Sequence, residues 1–236
     1  MGIDCKNYVI THRDWPIVED DMYRALCVGK FRNPGWLSEQ DGENISKYND
    51  RINEATGLYW IWKNTDSEYV GLSHYRRYFN NHGRRMDRTG VENILVNDGY
   101  DIILAPIRLA WPVYENIRMA VDKDLSTVAA HVFLHKIREK HPEYEVAFQK
   151  VLHGDRMFIC NMFVTRREIL NKYCEWLFSF LTDATDLIDV EYEYGFRRRT
   201  AGYMAEIMWT VWMEKQNLRV YEMPVEVVRW ASRSSR

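Results

Sequence analysis

Hydrophobic and polar residues alternate along this chain in two periods. Residues 7–11 (NYVIT) form a short, largely apolar β-branched run closed by the polar THRD, which predicts a strand with a loop at its C-terminal end. Residues 45–64 follow the other period. Ile45, Tyr48, Ile52, Ala55, Tyr59 and Trp62 recur at steps of three and four, which predicts one helix. On that helix Lys47, Asp50, Arg51 and Glu54 fall on the opposite, solvated side. A third stripe, Asn49, Asn53, Thr56 and Trp60, runs along the border of the apolar face. Polar groups there are partly buried and need partners, either neighbouring loops or a ligand.

Further along, Tyr69, Val70, Gly71 and Leu72 begin a buried strand that runs straight into His74, Tyr75, Arg76, Arg77 and Tyr78. YDIILAP (residues 100–106) predicts a second buried strand, stopped by its proline. Residues 124–140 read as a helix with Pro142 beyond its end, 157–165 as a strand, 167–182 and 201–216 as long helices, and 219–223 as a closing strand. Residues 30–44, rich in Gly, Pro, Asp and Asn, read as loop. Strands alternating with helices predict an α/β fold: a mostly parallel central sheet flanked by helices. With no repeat or linker, residues 1–236 are expected to form a single domain, the last few (about 231–236) being a frayed tail.

Composition narrows the function. Hydrophobic residues make up 46% of the 236, enough for a proper core, and aromatics are high at 14%. The balance of 32 basic and 34 acidic residues, a net −2, argues against a nucleic-acid partner. Cys5, Cys27, Cys160 and Cys174 are scattered without a C-x-x-C, which suits a reducing compartment rather than a zinc site or disulfide framework. No signal-like segment or membrane-length apolar run is present, so a cytoplasmic protein is expected, with peripheral contact at the inner face of the membrane left open.

Four constellations carry possible chemistry. His74, Arg76 and Arg77 follow an apolar strand, at the edge where open α/β sheets bind ligands, and guanidinium groups suit phosphate oxygens. Alternation along an extended backbone would send Arg76 and Arg77 to opposite faces, so only one is expected to join His74 in a site. The loop containing Asn44 and Ser46 opens a helix, and either residue could cap it. RRRTAGYMAE (residues 197–206) places Glu206 among apolar neighbours; it is either a carboxylate of raised pKa able to act as a base or the partner of a nearby arginine. His131 and His135 lie one helical turn apart, but a surface role outweighs metal binding there. No acidic pair of the D-x-D type stands at a strand end: DSE (residues 66–68) precedes its strand and DVE (189–191) lies in an acidic loop.

Taken together, VITHRD, GENIS, NEATGLYWIWKN, YVGLSHYRRYF, CNMFVTRREILNKYCEWLF and RRTAGYMAE resemble a domain family of initially unknown function. That family occurs in bacterial capsular and exopolysaccharide glycosyltransferases, including galactofuranosyltransferases. The matches run from Val9 to about Trp212. Ala55 and Gly57 stand where the family usually has bulkier residues, and the loop before the helix is short for the family, which puts sugar or acceptor preference in question.

The resemblance implies a GT-A-like fold and transfer of a hexose, galactofuranose being one candidate, from a nucleoside-diphosphate sugar, with UDP the expected nucleotide. The acceptor would be a growing surface polysaccharide or lipid-linked glycan. On this reading Thr11, His12 and Arg13 contact the nucleotide, and Asn44, Ser46 and Asn49 hold nucleotide or sugar. His74, Arg76 and Arg77 stabilise the leaving diphosphate, and Asn161 sits near the sugar. Glu206 is the first choice of base and Asp155 the second. No metal ligands and no cofactor are assigned, and dependence on Mg²⁺ or Mn²⁺ stays open. Two competitors remain: a non-catalytic carbohydrate-binding module using the aromatics, and a polyanion-binding protein using the arginine clusters.

Overall fold

The structure is a computed structural model that describes residues 2–191, 193 and 195–229. Along the chain, β1 (Cys5–Thr11), β2 (Tyr23–Cys27) and β3 (Leu37–Ser38) precede α1 (Asn49–Ile52) and α2 (Ala55–Asn64). Next come β4 (Tyr69–His74), β5 (Arg77–Asn81), β6 (Arg84–Arg85), α3 (Arg88–Glu92) and β7 (Ile102–Arg108). The helices α4 (Val113–Ala120), α5 (Lys123–Lys140) and α6 (Glu145–His153) lead to β8 (Arg156–Arg166). The chain then forms α7 (Arg167–Phe178), α8 (Leu181–Leu187), α9 (Thr200–Glu206), α10 (Met208–Met213), β9 (Val220–Glu222) and β10 (Val225–Val227).

The central sheet runs β3-β2-β1-β4-β8-β7-β9. Its pairings are parallel except those of β8, which lies antiparallel between β4 and β7. This is the expected mixed α/β class with a mostly parallel sheet. Strand alternation gives the sheet two apolar faces. Tyr8, Ile10, Val70, Leu72, Ile102, Leu104 and Phe163 point into the larger core, under most of the helices. Cys5, Val9, Tyr69, Ile103 and Val164 point the other way, into a smaller core that includes Val91 of α3 and Phe79 of β5. His74 follows Val70 and Leu72 at a spacing of two, so it belongs to the helix-covered face. All four cysteines are free. No helix among the described residues is long and apolar enough to cross a membrane.

Several boundaries depart from the sequence expectation. The single helix predicted over 45–64 is broken into a 3-10 turn (Ser46–Tyr48), α1 and α2, because Asn53 takes φ 52° and ψ −127°. The helices predicted over 167–182 and 201–216 each divide in two, and α5 begins at Lys123, capped by Asp122, which accepts from the amides of Asp124 and Leu125. Pro106 does not stop its strand. It sits inside β7 at a register shift, where a missing amide proton is tolerated.

That shift arises in β8. Leu104 pairs with Phe163, but Pro106 pairs with Phe158, so β8 spends five residues where β7 spends two. Within the extra length Cys160 (φ 63°) and Asn161 (φ 49°) are both left-handed. Two non-glycine residues in that region cost roughly 1–2 kcal/mol each. Two glycines bring the helices close to this part of the sheet. A Cβ on Gly57 would lie 2.6 Å from Cδ1 of Ile10, and one on Gly202 would lie 2.3 Å from Nδ2 of Asn53. The small residue at position 57 therefore has a packing reason: α2 rests directly on β1 there.

Candidate functional site

A cavity of 570 Å³ opens where β1 and β4 end, between the α1–α2 break and α9. Its floor is the irregular stretch of β8. In a regular strand, successive groups alternate between faces. The paired left-handed residues instead send three polar groups toward one place. The Cys160 amide donates to Oε1 of Glu206 at 2.6 Å, and the Cys160 carbonyl accepts from Nε2 of His74 at 2.6 Å. Asn161, 2% exposed, donates through Nδ2 to Oε1 of Glu54 at 3.0 Å.

Two carboxylates thus share the floor, one from each wall. Burial, then the charge of Glu54, raises the pKa of Glu206. Burial also raises that of Glu54, opposed by its own backbone amide, Asn161, Arg199 and Arg77. His74 is pulled the other way, down to about 4, chiefly by burial and further by Arg77 and Arg76, against the bond to Cys160. It is a neutral imidazole donating a hydrogen bond, not a cation. The Cys160 thiol is pushed up to about 12, mainly by burial, so it stays protonated.

The cations stand at the mouth. β4 and β5 are joined through Tyr75 and Arg76, with His74 paired to Arg77 across the hairpin. Because the backbone turns there, the alternation that would have separated Arg76 from Arg77 does not apply, and both line the cavity. Among the described residues neither guanidinium makes an ion pair; Arg76 lies 5.6 Å from the Tyr75 ring centroid. The arginines at 197–199 differ. Arg197 pairs with Asp122 and Glu193, Arg198 with Asp50 at 2.9 Å, and Arg199 donates to Oδ1 of Asn53.

The residues singled out from sequence divide clearly. His12, Asn49, His74, Arg76, Arg77 and Glu206 line the cavity, and Asn161 reaches it through Glu54. Asn49 donates to the Asn53 carbonyl and to Thr56 Oγ1, so the polar border stripe is bonded internally as well as facing the cavity. Thr11 is buried, and its hydroxyl donates to the Arg13 carbonyl, shaping the loop from behind. Arg13 donates to His12 Nε2 at 3.1 Å, beside the cavity rather than in its lining. Asn44 Oδ1 accepts from the Ser46 amide and hydroxyl, but the residue at the cap position is Ile45, with no side-chain cap bond, and neither Asn44 nor Ser46 lines the cavity. Asp155 is ion-paired with Arg108 at 2.9 Å, just before β8 begins, and does not line the cavity.

Glu54 is the residue that periodicity misplaced. An unbroken helix would put it in solvent, but the turn at Asn53 resets the phase and points it inward. Glu206, for its part, makes no ion pair among the described residues, and burial raises its pKa against the opposing charge of Arg77. Those residues also hold no group of three His, Cys, Asp or Glu placed to bind a metal ion.

A family model described as a domain of unknown function, DUF4422, matches residues 6–217. No curated protein matches the chain. Among solved structures, the apo structure of WbbM, titled a bifunctional glycosyltransferase, superposes with a TM-score of 0.82 at 23% identity. That match covers 96% of this chain and 46% of WbbM, so the chain spans about half of that protein. At this identity the likeness is one of fold.

Proposed function

The chain belongs to the DUF4422 family, and from the chemistry of its cavity we propose that it is a glycosyltransferase using a nucleoside-diphosphate sugar. One observation carries the reading: guanidinium groups without an ion pair at the cavity mouth face half-buried carboxylates on its floor. Glycosyl transfer needs that polarity. The bond from the anomeric carbon to the diphosphate oxygen breaks with its electron pair going to the phosphate. Arg76 and Arg77 meet the negative charge that develops there. The acceptor hydroxyl bonds to the anomeric carbon and yields its proton to Glu206. Neutral His74 orients the floor by holding the Cys160 carbonyl, and Asn49 contributes to the donor wall.

The described residues hold no group of three His, Cys, Asp or Glu placed for a metal ion. Side-chain cations take the neutralising role. The WbbM likeness supports glycosyl transfer as the activity class. A hexose, galactofuranose among the candidates, with UDP as carrier and a surface or lipid-linked glycan as acceptor, follows from the family resemblance.

Binding of nucleotide sugars is tested first by thermal shift, since a ligand that binds only the folded state raises the midpoint. UDP-sugars are expected to raise it in the native protein and not in an Arg76→Ala/Arg77→Ala variant. Glycan binding with no nucleotide affinity would replace this reading with a carbohydrate-binding module.

A further inference from the structure

Glu54 has no role in the transfer step above, yet the fold takes trouble to place it. The α1–α2 break turns it toward the cavity, and Asn161 grips it from a strained backbone position. Its neighbour on that backbone grips Glu206. Two acids from opposite walls are thus fixed by consecutive residues of one strand. If Glu54 were only an anchor for α2, an amide or hydroxyl would serve and would avoid burying a second acid.

We propose that Glu54 and Glu206 form an interacting carboxyl pair, both ionised before transfer and together holding one proton after it, Glu54 being the positioning residue that strengthens Glu206 as a base. This deepens the proposed function and rests on it for the role of Glu206. When the acceptor hydroxyl gives up its proton, Glu206 receives it beside the negative field of Glu54, which favours the protonated product. Glu54 itself exchanges no bond with substrate. The other titratable and charged groups facing the pair are His74 from β4, Arg77 from β5, Cys160 from β8, Arg199 from the turn before α9, and Tyr203 from α9. His74 and Cys160 stay neutral across the working range.

The test is Glu54→Gln, which keeps an oxygen to accept from Asn161 and removes only the charge. Thermal melting of the variant checks the fold. Two readouts follow. In protein labelled with ¹³C at the glutamate carboxyl, the Glu206 titration midpoint is expected to fall by about one pH unit or more in the variant. In the transfer assay the acid limb of the rate profile should move down by a similar amount. The plateau should drop by roughly 3–10-fold, as for a weaker base. Glu54→Asp, which keeps the charge, should return the limb toward its native position.

An unmoved Glu206 titration overturns the proposal, whatever the activity. So does a Glu54→Gln variant dead at every pH beside an active Glu206→Gln variant, because Glu54 would then be the base. A shifted titration in a protein that transfers no sugar would uphold the pair while removing the glycosyltransferase reading.

Discussion

Glu39 lies behind the cavity wall, fully buried, and accepts the Gly29 amide at 2.6 Å. Burial raises its pKa from 4.5 to about 7, opposed by Thr56, the Gly29 amide and, at longer range, Arg32. The sign follows from proton counts. Between those two values the folded state holds more protons than the unfolded state, so ionising Glu39 costs stability as pH rises from about 4.5 through about 7.

Glu39→Gln keeps an oxygen for Gly29 and cannot ionise. At about 1.4 kcal/mol per unit, the penalty it removes is about 1 kcal/mol near pH 5 and about 3 kcal/mol near pH 8. The stability gap between variant and native protein should therefore widen by about 2 kcal/mol across that range. For a chain of this size that is a relative gain of roughly 4–8 °C in melting temperature at the alkaline end. Urea unfolding of both proteins at matched pH is the assay, because the difference cancels every group they share. A gap that stays constant to within about 0.5 kcal/mol would show that Glu39 ionises as easily folded as unfolded, and the burial argument would fall.

Other outcomes follow from the same geometry. Arg76→Ala/Arg77→Ala should lower kcat by about 100-fold or more while moving the melting temperature little, since neither guanidinium makes an ion pair among the described residues; normal transfer by the folded variant would end the phosphate role. Full transfer in EDTA, with no gain from added Mn²⁺, is expected if the arginines replace a metal, and complete loss in EDTA would refute it. Gly202→Ala should cost about 1–3 kcal/mol in urea unfolding, because a Cβ there meets Asn53 and, at 3.1 Å, the Arg51 carbonyl. For His74 the folded pKa is depressed from 6.5 to about 4, so its neutral form adds stability above 6.5 that is lost as pH falls through that window. Its ¹⁵N ring signals should still report a neutral imidazole near pH 5.5, and a charged ring at that pH would contradict the burial assigned to it.

Much of the sheet was legible in the sequence because its strands are locally apolar. The expected end of β4 at His74 and the polar cluster just past it coincide with the strand and the cavity edge. Local pattern also identified Glu206 as an acid in apolar company. Glu54 was not legible, because its direction is set by one backbone inversion at Asn53. The periodicity of residues 45–64 fits an unbroken helix as well as a broken one. The pairing of Arg76 with Arg77 failed for a related reason: alternation presumes an extended chain, and the turn joining β4 to β5 was not read from YRRY. The antiparallel placement of β8 was hidden as well, since strand direction depends on long-range pairing.

The irregular stretch of β8 carries the rest of the argument. CNMF looks like ordinary strand sequence: Asn161 tolerates the left-handed region, but Cys160 has no local preference for it. Bulges persist where they aim groups that a regular ladder would not. Here an amide, a carbonyl and an amide side chain from two residues reach Glu206, His74 and Glu54 respectively. Each of those three bonds satisfies a partly buried polar group on a different element, which offsets the backbone cost. The same residues explain why β7 carries Pro106 opposite the disruption: the ladder is already interrupted there, so the missing amide proton is tolerated. The acids, the imidazole and the strained strand are therefore one structure, and a cavity lined by the arginines alone would not require it.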